Sequence, residues 1–212
     1  EHEDVTIKRY GPRNAFAITF PQGSVWGLLA VAATFGISIV SERSKGTLLR
    51  LQVAPMSRFH ILAGKAVACF IATVCLVSAL FIIGYFGFGV KPDSPALLAV
   101  AISSSGIAFV GIMMFLAVLG KTEQSVGGIA WGILIILAMF GGGMVPLFFM
   151  PPWMRSVGTV SPVKWAVLAI EGAVWRGFTP FEILKPCLVL IGIGIGCFLI
   201  GVRAFRWTYE QS

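Results

Sequence analysis

Five apolar runs, at residues 25–40, 66–90, 96–119, 127–149 and 186–202, alternate with shorter polar stretches. A helix needs roughly 17–25 apolar residues to cross a bilayer, so each run predicts a span, the first at the short end. The runs are continuous and do not alternate with period two, which favours helices over barrel strands. The expected fold is therefore an all-α integral membrane protein. Residues 24–212 form one transmembrane domain, and residues 1–23 form the end of a segment lying outside the membrane.

Composition agrees with that reading. Hydrophobic residues make up 57% and charged residues only 12%, where a soluble domain carries about 25% charged, and the mean hydropathy is +0.90. The net charge of +7 does not point to nucleic acid. The basic residues are spread among loops that flank apolar runs, where they fix topology or meet lipid headgroups.

Two segments between the runs are structured. Residues 41–65 carry Arg43, Lys45, Arg50, Arg58 and Lys65 against the single acid Glu42. Leu48, Leu49, Leu51 and Val53 have helical spacing ahead of a stop at Pro55, so an amphipathic helix is expected here. The second segment spans residues 143–185. Gly141, Gly142 and Gly143 followed by Pro146 should break the fourth span. Beyond Pro151 and Trp153, Ser161 is expected as the N-cap and Pro162 as the first residue of a helix. That helix runs through Trp165, Leu168 and Glu171 to about Arg176 and stops at Gly177. The reading is a re-entrant or interfacial helical pair. Glu171 is expected as a solvated headgroup-level charge, with Lys164, Arg176 or a neighbouring subunit as its possible partner.

Searches for enzymatic chemistry find little. Gly64-Lys65 lacks both the upstream Gly and the following Ser or Thr of a phosphate-binding loop. No G-x-S-x-G or H-E-x-x-H occurs, and His2 and His60 are the only histidines, so no metal site or catalytic residue is expected. Cys69, Cys75, Cys187 and Cys197 fall inside the runs without C-x-x-C spacing and read as packing residues. The runs themselves hold no Asp, Glu, Lys, Arg or His, whereas ion-coupled transporters need ionisable groups within the membrane. This leaves a protein driven by an outside energy source or one that simply resides in the bilayer. Small residues are dense: Gly192, Gly194 and Gly196 form a stripe, with Gly192-x-x-x-Gly196 allowing close helix approach, and Ser103 to Gly106 do the same in the third span.

Charge counting leaves the orientation open. With residues 41–65 inside, each face carries the same number of Lys and Arg residues. The first residues show no basic stretch followed by a short apolar core and a cleavage site. The expectation is a fragment preceded by at least one further span.

The segment from Glu42 through Gly46-Thr47-Leu48 to Leu51, then Pro55-Met56-Ser57-Arg58 and Gly64-Lys65, resembles the cytoplasmic loop of ABC-2-type exporter permeases. Met150-Pro151 with Trp153-Met154, Ser161-Pro162 with Lys164-Trp165, Glu171-Gly172 and Trp175-Arg176-Gly177 resemble the external segment ahead of that family's last span. The resemblance runs from about Phe20 to Arg206. It implies the following expectations. The chain carries five spans of a six-span half and works as a dimer with a second copy or a paralogue. It sits among lipids as a multi-pass protein of the cytoplasmic membrane. Residues 41–65 face the cytoplasm and touch a separate ABC ATPase, which alone binds ATP and magnesium; this chain carries no cofactor. Glu42, Arg43, Gly46, Thr47, Leu48, Arg50, Leu51, Pro55 and Arg58 form the coupling surface. Pro151, Trp153, Pro162, Trp165 and Glu171 form the external gate. Export by alternating access is the implied function. A non-transporting membrane scaffold and a lipid-acting membrane enzyme are the alternatives.

Overall fold

The computed structural model describes residues 15–45, 58–120 and 122–204, and every regular element among them is helical. In chain order these are α1 (Phe16–Ser44), α2 (Arg58–Phe88), α3 (Pro95–Leu116), α4 (Glu123–Gly141), α5 (Pro152–Val157), a 3₁₀ turn (Gly158–Val160), α6 (Pro162–Val174) and α7 (Pro180–Ala204). Helices α1, α2, α3, α4 and α7 are long and apolar enough to cross a membrane. All five expected spans are present. All five begin ahead of their apolar runs, α1, α2 and α7 by six residues or more. Helix α1 starts at Phe16 because Phe16 and Phe20 pack their rings on Phe88, at 5.0 and 5.3 Å between centroids. Helix α7 starts at Pro180, so Pro186 lies within the helix instead of opening it.

Local sequence explains the other starts. The Ser94 hydroxyl accepts from the Leu97 amide at 3.3 Å, with Pro95 in the first turn. Thr122 accepts likewise from Ser125 at 3.2 Å, and Glu123 lies at the positive end of the α4 dipole. Thr179 and Glu182 form a reciprocal capping box. The Thr179 amide donates to Glu182 Oε2 at 2.7 Å while Thr179 Oγ1 accepts from the Glu182 amide at 3.4 Å. The T-P-F-E signature was present in the sequence and extends the helix into what reads as a polar connection.

Helix α3 forms the centre, with 72% of its core window buried against 22–28% for α2, α4 and α7. It packs on α7, α1, α2 and α6. The outward faces of α2 and α7 show large apolar side chains, among them Ile71, Ile82, Phe86, Leu188 and Ile195. Lipid is as apolar as those side chains, so close packing must hold the helices together in place of a hydrophobic drive. The tightest crossing is between α3 and α7, where Gly111 lies against the backbone of Gly194 and Gly201 against that of Met114. The expected contact residues Gly192 and Gly196 have no neighbour on that side. The close approach belongs to Gly194, because the rotation of α7 turns that residue toward α3.

The fourth span breaks where the glycines predicted. Gly142 adopts a left-handed φ of 92°, and its amide and that of Gly143 both return to the Ala138 carbonyl. The chain then forms α5 and α6, a helical pair bent by 103°.

Candidate functional site

The expected site residues that the structure describes fall at two ends of the bundle. One, the loop face, gathers the end of α1, the start of α2 and the turn between α3 and α4. Glu42 accepts from Lys65 Nζ at 2.6 Å, with both side chains partly exposed. Lys45 lies 3.2 Å from Glu123 on the surface. Arg43 behaves differently, being 7% exposed and donating from Nη2 to the Gly120 carbonyl at 2.7 Å. Arg43 thereby satisfies a main-chain acceptor at the exit of α3. Glu42 is likewise engaged by Lys65, so the two residues tie α1 to its neighbours. Gly46, Thr47, Leu48, Arg50, Leu51 and Pro55 and the expected amphipathic helix lie outside the described residues. Arg58 opens α2.

At the opposite face, the broken fourth span leaves main-chain carbonyls that need donors. Helix α1 supplies two of them. Gln22 Nε2 donates to the Gly142 carbonyl and Trp26 Nε1 to that of Gly143, both at 3.0 Å. Neither residue was singled out by motif, since the signal lies only in their facing the break.

Ser161 and Pro162 do open α6, as expected, but the Ser161 side chain makes no cap. Its hydroxyl donates instead to the Leu137 carbonyl of α4 at 2.7 Å. It thereby fixes α6 against the last turn of α4. Pro151 holds an extended conformation that turns the chain into α5. Trp153 is 63% exposed and meets Phe140 edge-on at 6.5 Å. Trp165 Nε1 donates to the Thr159 carbonyl at 2.8 Å. Lys164 Nζ donates to the Arg155 carbonyl at 2.7 Å and to Thr159 Oγ1 at 2.9 Å. Partial burial, and then the nearby Arg155, lower the Lys164 pKa.

Glu171 is not the solvated charge expected, but it does pair with Arg176, one of the partners expected for it. It is fully buried, and Oε2 accepts from Arg176 Nε at 2.8 Å and Nη2 at 2.7 Å. The Arg176 guanidinium also lies 4.7 Å from the Trp175 ring centroid. The reason is the short C-terminal turn after α6, which folds Arg176 back over the preceding turn. Gly177 at φ 63° lets the chain reverse, and the Phe178 amide returns to the Gly172 carbonyl at 3.0 Å. Amides of Asp93 and Ser94 reach the Val174 and Ala173 carbonyls at 3.2 Å. The end of α6 is thus locked to the start of α3, at the centre of the bundle. Of the five expected gate residues, Pro151 and Trp153 are exposed, Trp165 is half-buried, and Pro162 and Glu171 are buried.

The chain resembles bacterial transport permeases. It is 28% identical over 171 residues to the linearmycin resistance permease protein LnrN of Bacillus subtilis, covering 80% of this chain and 44% of that protein. It is 29% identical over 187 residues to the inner membrane transport permease YhhJ of Escherichia coli, covering 85% and 49%. With the protein named "Probable doxorubicin resistance ABC transporter permease protein DrrC" of Mycobacterium tuberculosis it shares 28% over 200 residues, covering 86% and 70%. The chain thus spans less than half the length of the first two relatives. No solved structure matches it. The family described as ABC-2 type transporter matches residues 23–175, and with five helices long and apolar enough to cross a membrane the chain is a member of the ABC-2 type transporter family.

Proposed function

We propose that this subunit exports an amphipathic organic cargo across the cytoplasmic membrane by alternating access, working in a dimer and driven by a separate ATPase. The observation that carries the reading is the linkage at the loop face. The connection at residues 46–57 leaves α1 just past Glu42 and Arg43 and enters α2 just before Lys65. Glu42–Lys65 couples α1 to α2, and Arg43–Gly120 couples α1 to the exit of α3. A pull on the connection therefore reaches three spans together. Closure of the ATPase pair on ATP would supply that pull, and free energy enters through contacts that differ between two states. Within this reading the loop face is cytoplasmic, and Gly46, Leu48 and Leu51 make the partner contact.

The cargo class follows from the spans, whose apolar runs carry no Asp, Glu, Lys, Arg or His. Such walls suit an apolar or amphipathic molecule better than a bare ion. The relatives named for linearmycin and doxorubicin resistance support the same class.

The test is co-purification of the protein with candidate ATPases, followed by ATPase stimulation and vesicle transport. Gly46→Trp should prevent association. Arg43→Gln should leave association intact while transport falls, because it cuts the link behind the contact. If no ATPase associates, or Arg43→Gln leaves transport at the wild-type level, the reading is wrong.

A further inference from the structure

Arg155, Lys164 and Arg176 converge at the face opposite the loop. They line a cavity of about 260 Å³ whose remaining walls are Leu147, Phe148 and Leu168. Glu171 neutralises Arg176 at 2.7 Å. Among the described residues no carboxylate lies within ion-pair distance of Arg155 or Lys164. Arg155 Nη2 donates to the Met150 carbonyl at 3.3 Å, and Lys164 spends its donors on the Arg155 carbonyl and the Thr159 hydroxyl. The cavity therefore holds two positive charges that no carboxylate offsets, Lys164 half-buried and Arg155 exposed. A guanidinium with five donors and an ammonium with three retain capacity after those bonds. A multi-oxygen anion would offset the repulsion and take up the remaining donors.

The walls and the depth narrow the chemistry. Half of the lining is apolar, which suits an amphiphile more than a free inorganic ion. Trp153 and Trp165 flank the two cations in sequence, and tryptophans of this kind mark the headgroup level of a bilayer. At that level phospholipid is the abundant anionic amphiphile.

We propose that this cavity binds the phosphate headgroup of an anionic phospholipid from the surrounding leaflet. Arg155 and Lys164 hold the phosphate oxygens, and Leu147, Phe148 and Leu168 meet the start of the acyl chains. The proposal stands apart from transport and from any ATPase.

The test uses the protein in nanodiscs with spin-labelled phosphatidylglycerol or phosphatidylcholine, reading the motionally restricted fraction. A cation near the membrane surface favours an anionic lipid about five-fold. Wild type should therefore prefer phosphatidylglycerol by about five-fold or more. Arg155→Gln with Lys164→Gln should bring the preference to within about two-fold of parity, by loss of the same surface attraction. Arg155→Lys with Lys164→Arg should retain it. Leu168→Trp, which keeps both cations but fills the cavity, should reduce it. The proposal fails if wild type shows no preference, if the glutamine pair keeps it, or if the charge-conserving pair loses it. Displacement of the labelled lipid by inorganic phosphate alone would also overturn it, by making the site one for a soluble anion.

Discussion

Arg176→Met should destabilise the protein far more than Glu171→Gln, although both remove the same ion pair. The asymmetry comes from exposure. Glu171 is fully buried, whereas the Arg176 side chain is 25% exposed and stacks on Trp175. Losing Arg176 strands a buried carboxylate, and breaking a buried pair in this way costs about 3–5 kcal/mol. Losing the Glu171 charge leaves a guanidinium that can turn to water or a headgroup, so only the charged hydrogen bonds are forfeited, about 1–2 kcal/mol. The double variant should then be more stable than Arg176→Met alone, with a coupling of about 2 kcal/mol between the sites. Unfolding by detergent titration, followed by circular dichroism, gives the three free energies. The pH dependence adds a signed check. The stranded carboxylate penalises the folded state only while charged, so the Arg176→Met deficit should shrink as pH falls toward about 4.3, the ordinary glutamate value. Equal costs for the two single variants, or strict additivity in the double, would refute the assignment of Glu171 as a buried, Arg176-dependent charge.

Three further outcomes are expected. Gly194→Ala would place its Cβ 2.5 Å from the Ile107 carbonyl oxygen and 2.9 Å from Ala108 Cα, and backbone cannot yield by changing rotamer. It should cost about 1–3 kcal/mol in the same unfolding assay, while Gly192→Ala and Gly196→Ala, which meet nothing, should be neutral or slightly stabilising. Trp26→Phe should cost about 1–2 kcal/mol by leaving the Gly143 carbonyl without its donor, and protease nicking between α4 and α5 should increase. Arg43→Gln should reduce stability measurably and Lys45→Gln should not, because the first side chain is buried on a main-chain acceptor and the second sits in an exposed pair.

Much of the architecture follows from residue order. Long apolar runs must become helices in lipid, since no other linear segment satisfies its own main chain there. The three glycines before Pro146 had to end α4, and Ser161-Pro162 had to begin a helix, because φ freedom and a missing amide are properties of single residues. The same local logic was available in Thr179 and Glu182, whose reciprocal capping starts α7 six residues ahead of its apolar run.

Facing was not legible in this way. In water, a helix reveals its inward side by the contrast between apolar and polar positions. In a bilayer both the lipid and the protein interior are apolar, so that contrast vanishes. Gly192, Gly194 and Gly196 are equivalent in composition, and only the rotation of α7 against α3 selects Gly194. For the same reason Arg43 and Lys45 look alike as loop cations, yet one is turned into the bundle toward Gly120 and the other outward to Glu123. Glu171 reads as a surface charge until packing buries it and Arg176 closes on its carboxylate. The sequence determined which segments are helices and where they break, because main-chain satisfaction is local. Which side chains meet was decided only by tertiary packing, because between apolar surroundings it is shape and the few available hydrogen bonds that choose the partner.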